Sequence, residues 1–200
     1  RQSLRAALLE QLGGHDKVQW GHQLVGIEEH KAGVDLRFKV NGETQTAHAD
    51  MLVGADGIRS TVRSLLLGEE TYPLRYLDCI VILGICPLAD IEEIGSDLLD
   101  SETVFQTANG HERIYVMPYD TDSVMWQLSF PLSEQAAKAL SAKGAAALKQ
   151  EALKRCQWHS PVPQILSATK EALVSGYPVY DRALLQPENL RKLSRTTLIG

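Results

Sequence analysis

The stretch LVGADGIRSTVR, from Leu52 to Arg63, decides the fold class. The run Met51 to Ala55 is continuously apolar, which is typical of a strand covered on both faces. Asp56 and Gly57 break this run, and the segment from Ser60 to Leu67 has the pattern of a short helix. A strand, a tight turn and a helix in this order direct a loop at a ligand in α/β folds.

The residues of this turn have the chemistry of a nucleotide site. Gly57 lets backbone approach a ligand without an intervening side chain, and the Asp56 carboxylate can accept hydrogen bonds from ribose hydroxyls. Free N–H groups at the start of a helix favour phosphate, and Arg59 and Arg63 add positive charge nearby. A plain Asp-Gly turn with a helix cap is an equally good interpretation from the residues alone.

The same twelve residues resemble the DG motif of the flavoprotein aromatic hydroxylases, the group A FAD-dependent monooxygenases typified by para-hydroxybenzoate hydroxylase. The resemblance implies that Asp56 and Gly57 lie near the FAD pyrophosphate and ribose, and near the path of NAD(P)H. It leaves two roles open for Arg63, one structural and one in pyridine-nucleotide binding.

Three further segments resemble the same family in the expected order. RQSLRAALLEQL resembles the helix that precedes the DG motif, whose leading arginine, here Arg1, contacts the flavin cofactor. GHQLVGIEE resembles the strand whose backbone meets the adenine; Leu24 is the matching position and Val25 the alternative. Tyr180 to Arg182, followed by RTTLIG, resembles the approach to the second FAD motif, in which Gly200 is the glycine.

The segment VFQTANGHERIYVMPYDTDSVMWQLSFPL resembles the family's substrate-domain sheet, one wall over the flavin ring. Its candidate substrate-binding residues are Phe105, Gln106, Met117 and Trp126. Tyr115 and Gln127 are further possibilities. Alternate residues of a strand face opposite ways, so only about half of this set can point toward a ligand. For any single one, packing within the sheet is the more frequent role.

The resemblance implies an α/β (α+β) two-domain FAD-binding fold with a mixed, largely antiparallel substrate-domain sheet. Residues 1–67 are expected in the FAD-binding domain, 68–182 in the substrate domain, and 183–200 back in the FAD-binding domain. Asn41-Gly42 predicts a hairpin turn with Glu43 to Ala49 as the return strand. Ser133 is expected to cap a long alanine-rich helix running to about Cys156. The family's GxGxxG fingerprint is absent, and we expect a central segment of a longer protein.

Composition excludes several other classes. A net charge of −5 without a basic tract argues against nucleic-acid binding. Three cysteines without C-x-x-C spacing favour a reducing compartment, so we expect a cytoplasmic protein. No apolar run is long enough for an integral membrane segment. The histidine spacing suggests no metal ligands, and we predict no metal site.

The expected activity is that of an FAD-dependent monooxygenase, which uses NAD(P)H and dioxygen to hydroxylate an aromatic or similar small organic substrate. The cofactor performs the difficult chemistry in such enzymes, so the sequence singles out no catalytic residue. Two alternatives stay open. One is a flavin-dependent reductase of the same fold, which reduces carbon–carbon double bonds without oxygen. The other is a degenerate, non-catalytic flavoprotein module.

Overall fold

The computed structural model describes residues 2–91, 95–100, 102–190 and 194–199. The chain divides into two compact units: unit 1 runs to Pro73 and resumes at Arg182, and unit 2 takes the residues between. The sequence predicts the first change of domain after Leu67. Unit 1 extends further because the buried Tyr72 remains part of it, with its hydroxyl accepting a hydrogen bond from the Gln186 N–H at 3.1 Å.

The helices and strands follow the chain in a single series. They are α1 Gln2–Gln11, β1 Gln23–His30, β2 Gly33–Val40, β3 Glu43–Ala49, β4 Leu52–Gly54, α2 Thr61–Leu67, β5 Leu74–Pro87, β6 Phe105–Ala108, β7 Arg113–Asp120, β8 Ser123–Pro131, α3 Glu134–Ala142, α4 Ala145–Arg155, α5 Val162–Ala168, β9 Val174–Arg182, α6 Pro187–Leu190 and β10 Thr196–Leu198. Across the described residues, none of these helices combines the length and the apolar character needed to cross a membrane.

In unit 1, β1, β2 and β3 form an antiparallel sheet in that order. The predicted hairpin is confirmed, because Asn41 and Gly42 have φ values of 51° and 89° between β2 and β3. A two-residue turn with positive φ at both positions matches the twist of the strands it joins. Val34 and Leu36 are buried on one face of this sheet, which leaves the opposite face to polar side chains.

A second sheet of unit 1 pairs β4 with β10 in parallel, with Gly54 opposite Leu198. The predicted strand is therefore present, but the expectation that it is covered on both faces is wrong for this chain. Gly54 is buried, whereas Val53 is 50% exposed. The reason is that this sheet has two short strands, which pack against α2 on one face. On that face a Cβ at Gly54 would lie 2.9 Å from Val62 Cβ.

Unit 2 is built on a five-stranded sheet of order β6-β7-β8-β5-β9. The ladders β6–β7, β7–β8 and β8–β5 are antiparallel. The predicted fold class, a mixture of helices and strands with a largely antiparallel substrate-domain sheet, is confirmed.

One face of this sheet forms the core of unit 2. Its buried side chains pack against α3, α4 and α5, and they include Ile80, Ile82, Ile114, Trp126 and Phe130.

The single long helix predicted after Ser133 is wrong. Ser133 does cap α3, by accepting from the Ala136 N–H at 3.4 Å, but Gly144 at φ 85° separates α3 from α4. Glycine adopts this left-handed conformation without steric cost.

The close approach of Gly84 to Trp126 generates a stability prediction. A Cβ at Gly84 would lie 2.7 Å from three indole atoms of the fully buried Trp126. The indole cannot retreat without breaking its 2.8 Å hydrogen bond to Thr169 Oγ1. We expect Gly84→Ala to lower the unfolding free energy of the intact protein by about 1–3 kcal/mol, as overpacking does in well-packed cores. Urea denaturation measures this, with exposed Ser175→Ala as the control; equal midpoints for the two variants would contradict the packing described.

Candidate functional site

The turn that follows β4 lies at the carboxyl edge of the parallel β4–β10 pair. Leu198 stands opposite Gly54, and the Ile199 N–H donates to the Gly54 carbonyl at 2.9 Å. Both strands therefore end at the same edge, and Asp56 follows one of them within two residues. The carboxyl ends of parallel strands are where α/β folds bind ligands.

The Asp56 carboxylate caps helix α2. Its Oδ2 accepts hydrogen bonds from the N–H groups of Thr61 at 2.7 Å and Val62 at 3.1 Å. The Ser60 hydroxyl oxygen accepts the next N–H, that of Arg63, at 2.9 Å. The expectation that free N–H groups here would hold a phosphate is wrong, because side chains of the same turn already occupy them. The helix-cap interpretation of Asp56 thus describes what its carboxylate does within the chain.

These hydrogen bonds also set the ionisation of Asp56. Burial alone would raise the pKa of the carboxyl group, but the Ser60 hydroxyl and the backbone N–H groups of Val62 and Thr61 outweigh it. The pKa therefore lies below its usual value, since hydrogen bonds to the charged form favour ionisation. Asp56 is negatively charged at neutral pH.

Gly57 presents bare backbone beside this carboxylate. Its φ of 73° lies in the left-handed region that favours glycine, and the residue is exposed. A Cβ placed there would meet no heavy atom within 4 Å. The outer side of the turn is therefore open to an approaching ligand.

Two arginines hold the carbonyl groups of the same turn. Arg63 Nη2 donates to the Gly57 carbonyl at 3.1 Å. Arg182 Nε donates to the Ile58 carbonyl at 2.6 Å, and its Nη1 donates to the Tyr72 carbonyl. Of the two roles that the resemblance leaves open for Arg63, this hydrogen bond to Gly57 corresponds to the structural one. Arg182 lies in one of the motifs named above, but the sequence carries no local signal for its contact with Ile58, because the two positions lie more than 100 residues apart.

The strand expected to meet the adenine contains a β-bulge. Leu24 stands opposite Phe38 and Gly26 opposite Arg37, so that Val25 has no opposite residue on β2. A bulge leaves the backbone of its extra residue outside the ladder. Of the two positions considered, Val25 is the one whose peptide groups stand outside the pairing. Arg1 and Gly200, which were predicted near the cofactor, lie outside the described residues.

The four predicted substrate residues divide between the two faces of the unit 2 sheet. Trp126 is fully buried and Phe105 packs against the same core, so both belong to the face covered by helices. Gln106 pairs with Tyr115 and Met117 pairs with Met125, positions that alternate with the buried ones. Gln106 and Met117 therefore share the opposite face, which Tyr115 also lines.

A cavity of about 470 Å³ opens at one end of this sheet. It is lined by residues of β5, β8 and the β6–β7 hairpin, among them Cys79, Arg113 and Ser129. Burial raises the pKa of the Cys79 thiol, so that side chain is neutral at physiological pH. None of the four predicted substrate residues lines the cavity. The pairing of β7 with β8 sets Arg113 opposite Ser129 and so brings both residues to the cavity. No local pattern in the sequence predicts that pairing.

Comparison with known proteins identifies the family of this chain. Residues 4–173 match the family described as FAD binding domain. The chain belongs to the FAD binding domain family. Among curated relatives, it is 26% identical over 176 residues to an aurachin C monooxygenase/isomerase of Stigmatella aurantiaca, covering 88% of this chain and 41% of the relative. It is 33% identical over 107 residues to a 3-(3-hydroxy-phenyl)propionate/3-hydroxycinnamic acid hydroxylase of Mycobacterium sp. (strain JLS), covering 52% of this chain and 18% of that one.

Solved structures show the same fold as this FAD binding domain. The structure of Klebsiella pneumoniae HpxO with FAD and uric acid superposes with a TM-score of 0.78 at 23% identity, over 100% of this chain and 47% of that chain. A putative FAD-containing monooxygenase from Photorhabdus luminescens gives a TM-score of 0.69 at 19% identity, over 93% and 52% of the two chains. The predicted resemblance to FAD-dependent monooxygenases is confirmed. The chain spans about half the length of these two structures.

The cap on α2 generates a pH-dependent prediction. Loss of an N-cap costs about 1 kcal/mol, so Asp56→Ala should lower the unfolding free energy by that order at pH 7. Because the folded pKa is depressed, the stabilisation by the charged form is present above the unfolded value of about 3.9. It is lost as the pH falls through the folded pKa.

Urea denaturation of the wild type and Asp56→Ala at pH 7 and about pH 3 tests this, and the difference between them should shrink at the lower pH. Ser133→Ala removes an uncharged cap in unit 2, and its cost should not depend on pH. A cost of Asp56→Ala that is the same at both pH values would show that the charge of Asp56 contributes nothing to the cap.

Proposed function

We propose that this FAD binding domain protein acts in an FAD-dependent monooxygenase, which uses NAD(P)H and dioxygen to hydroxylate an aromatic or similar small organic substrate. The balance is one substrate C–H bond, one O₂, one NAD(P)H and one proton converted into a C–OH group, one water and NAD(P)⁺. The observation that carries the proposal is the turn at the carboxyl edge of β4, with an ionised Asp56 beside the bare, exposed backbone of Gly57.

The turn fits a dinucleotide in a specific way. A carboxylate has about four lone-pair directions, so Asp56 can accept a ribose hydroxyl while it caps α2. Backbone at Gly57 can contact the cofactor directly because no side chain or neighbouring atom fills the space. The α2 N–H groups are already bonded within the chain. We therefore propose that the Asp56 carboxylate contacts the ribose and that the backbone of Gly57 lies against the pyrophosphate. Val25, outside the β1–β2 ladder, is our choice for the adenine contact, and Arg1 remains a proposed flavin contact.

Bound FAD supplies the activation of dioxygen, with electrons from NAD(P)H. The chain's own residues then bind and orient. Arg63 and Arg182 fix the two carbonyls of the turn, so that Gly57 keeps one conformation when the cofactor arrives. The face of the unit 2 sheet that the helices leave uncovered is the proposed substrate wall, with Gln106, Tyr115 and Met117 along it.

Within that wall, the cavity beside Arg113 is the proposed seat of the substrate. A cavity of about 470 Å³ lies in the size range of small-molecule sites. The Arg113 guanidinium offers hydrogen-bond donors to a polar or anionic substituent. One curated relative is named as a 3-(3-hydroxy-phenyl)propionate/3-hydroxycinnamic acid hydroxylase, and the HpxO structure contains uric acid. We therefore expect a substrate with an aromatic ring and an acidic or oxygen-rich group.

The predicted cytoplasmic location stays a prediction.

Oxygen uptake tests the proposed reaction. The purified intact protein should show a flavin spectrum, and a phenolic acid that binds should raise NAD(P)H oxidation and oxygen consumption together, with a hydroxylated product. Absence of flavin would contradict the proposal. NAD(P)H oxidation coupled to substrate without oxygen uptake would show instead a reductase of the same fold.

Arg113→Gln tests the cavity in the same assay. Removing the charge should raise KM about tenfold or more, equivalent to about 1.4 kcal/mol of binding, with the flavin content unchanged. Lys143→Gln removes an exposed cation of unit 2 that lies outside the cavity and should leave KM unchanged. An unchanged KM in Arg113→Gln would show that the substrate binds elsewhere.

A further inference from the structure

Three side chains of the β1–β2–β3 sheet converge on its polar face. Asp35 of β2 stands opposite His48 of β3, and its Oδ1 lies 2.8 Å from His48 Nδ1. The Asp35 Oδ2 lies 3.4 Å from Nε2 of His30, the last residue of β1. The two imidazole rings stack with centroids 5.4 Å apart. The candidate ligand atoms of the three residues all lie within 4.8 Å of one another.

The backbone makes room for this cluster at Gly33. A Cβ there would lie 2.6 Å from His48 Cε1 and 2.5 Å from the Ala49 carbonyl oxygen. Gly33 is not among the residues with positive φ. A glycine is therefore needed here because it has no side chain, and not because of its backbone conformation. That space lets the His48 ring lie against the hairpin and stack on His30.

The donor set is that of a transition-metal site. Two imidazoles and one carboxylate suit Zn²⁺ and its neighbours in the first transition row. A tetrahedral ion with bonds of about 2.0–2.1 Å sets its ligand atoms roughly 3.3 Å apart. One Asp35 oxygen lies 2.8 Å from His48 Nδ1 and the other lies 3.4 Å from His30 Nε2, so small rotations of these exposed side chains would bring one oxygen and two nitrogens to that spacing. We propose that His30, Asp35 and His48 bind a divalent transition-metal ion, with water completing its coordination.

The surroundings allow such an ion to enter. Asp35 and His48 line an open cleft of about 500 Å³, together with Glu28, which stands opposite Asp35 on β1 and adds a second carboxylate. Arg37 also lines the cleft, but its guanidinium lies beside Gly26, where it would touch an added Cβ. The cleft therefore offers a second carboxylate near the proposed ligands.

Binding requires the ligating nitrogens to be free of protons. His30 Nδ1 accepts the Ala32 N–H at 3.3 Å, which favours a proton on Nε2 when the ring is neutral. On metal binding at Nε2 the ring proton is carried by Nδ1, so the Ala32 N–H loses this acceptor and donates to water instead. That contact is long and exposed, so its loss does not oppose the ion strongly. The ion then joins all three strands of the sheet.

Zinc binding by the intact protein tests the site. In metal-free buffer, competition with a chromophoric chelator should give one Zn²⁺ per chain with a dissociation constant on the order of 1–10 µM. His30→Gln, Asp35→Asn and His48→Gln should each weaken binding about tenfold or more. His15→Gln removes an exposed histidine outside the cluster and should bind as the wild type does.

Thermal unfolding separates this site from scattered surface binding. Zn²⁺ should raise Tm of the wild type and of His15→Gln, since a ligand that binds only the folded state stabilises it. At the same Zn²⁺ concentration it should raise Tm of the three ligand variants less, because their binding is weaker. The proposal is overturned if the wild type binds no Zn²⁺ at 100-fold the expected constant, or if the three variants bind it as tightly as the wild type. The cluster would then be only a hydrogen-bonded surface network.

Discussion

The hydrogen-bonded cap between Asp56 and the first turn of α2 is the interaction on which the proposed cofactor site depends. It ties the helix to the end of β4 with two backbone hydrogen bonds to one carboxylate oxygen. Arg63 and Arg182 bind the carbonyls of Gly57 and Ile58 from within the same unit. These hydrogen bonds hold the turn with Gly57 in a left-handed conformation whose outer side stays open. A cofactor that binds to the proposed site would meet a turn already held in place, which lowers the cost of ordering the chain on binding.

What could be predicted from the sequence was local. The strand, turn and helix from Leu52 to Leu67 and the Asn41-Gly42 hairpin follow from a few neighbouring residues, and both are present. The two uses of Asp56 could not be separated, because a carboxylate before a helix looks the same whether it caps or binds. The division of the long helix at Gly144 depends on one glycine in an alanine-rich run, where helix propensity dominates the pattern.

Features that depend on how the strands pair could not be predicted from the sequence. The candidate set joins Phe105 and Trp126 with Gln106 and Met117, yet alternation along the strands turns the two pairs to opposite faces. Helices α3, α4 and α5 cover the face of Phe105 and Trp126. Alternation showed that two faces exist but not which one the later helices would cover. The His30, Asp35 and His48 cluster has no ligand spacing along the chain, and only the three-stranded register joins it. The bulge at Val25 is likewise a property of pairing.

The cofactor retention of Gly57→Ala tests the central claim most directly. Gly42→Ala is the matched control: both glycines are exposed at positive φ with no heavy atom within 4 Å of an added Cβ. Both variants therefore carry a similar backbone strain of about 1 kcal/mol. Only Gly57 lies where FAD is proposed to approach, so FAD titration of the intact protein should give at least about tenfold weaker binding for Gly57→Ala and wild-type binding for Gly42→Ala. Equal FAD affinity in the two variants would contradict a flavin site at this turn.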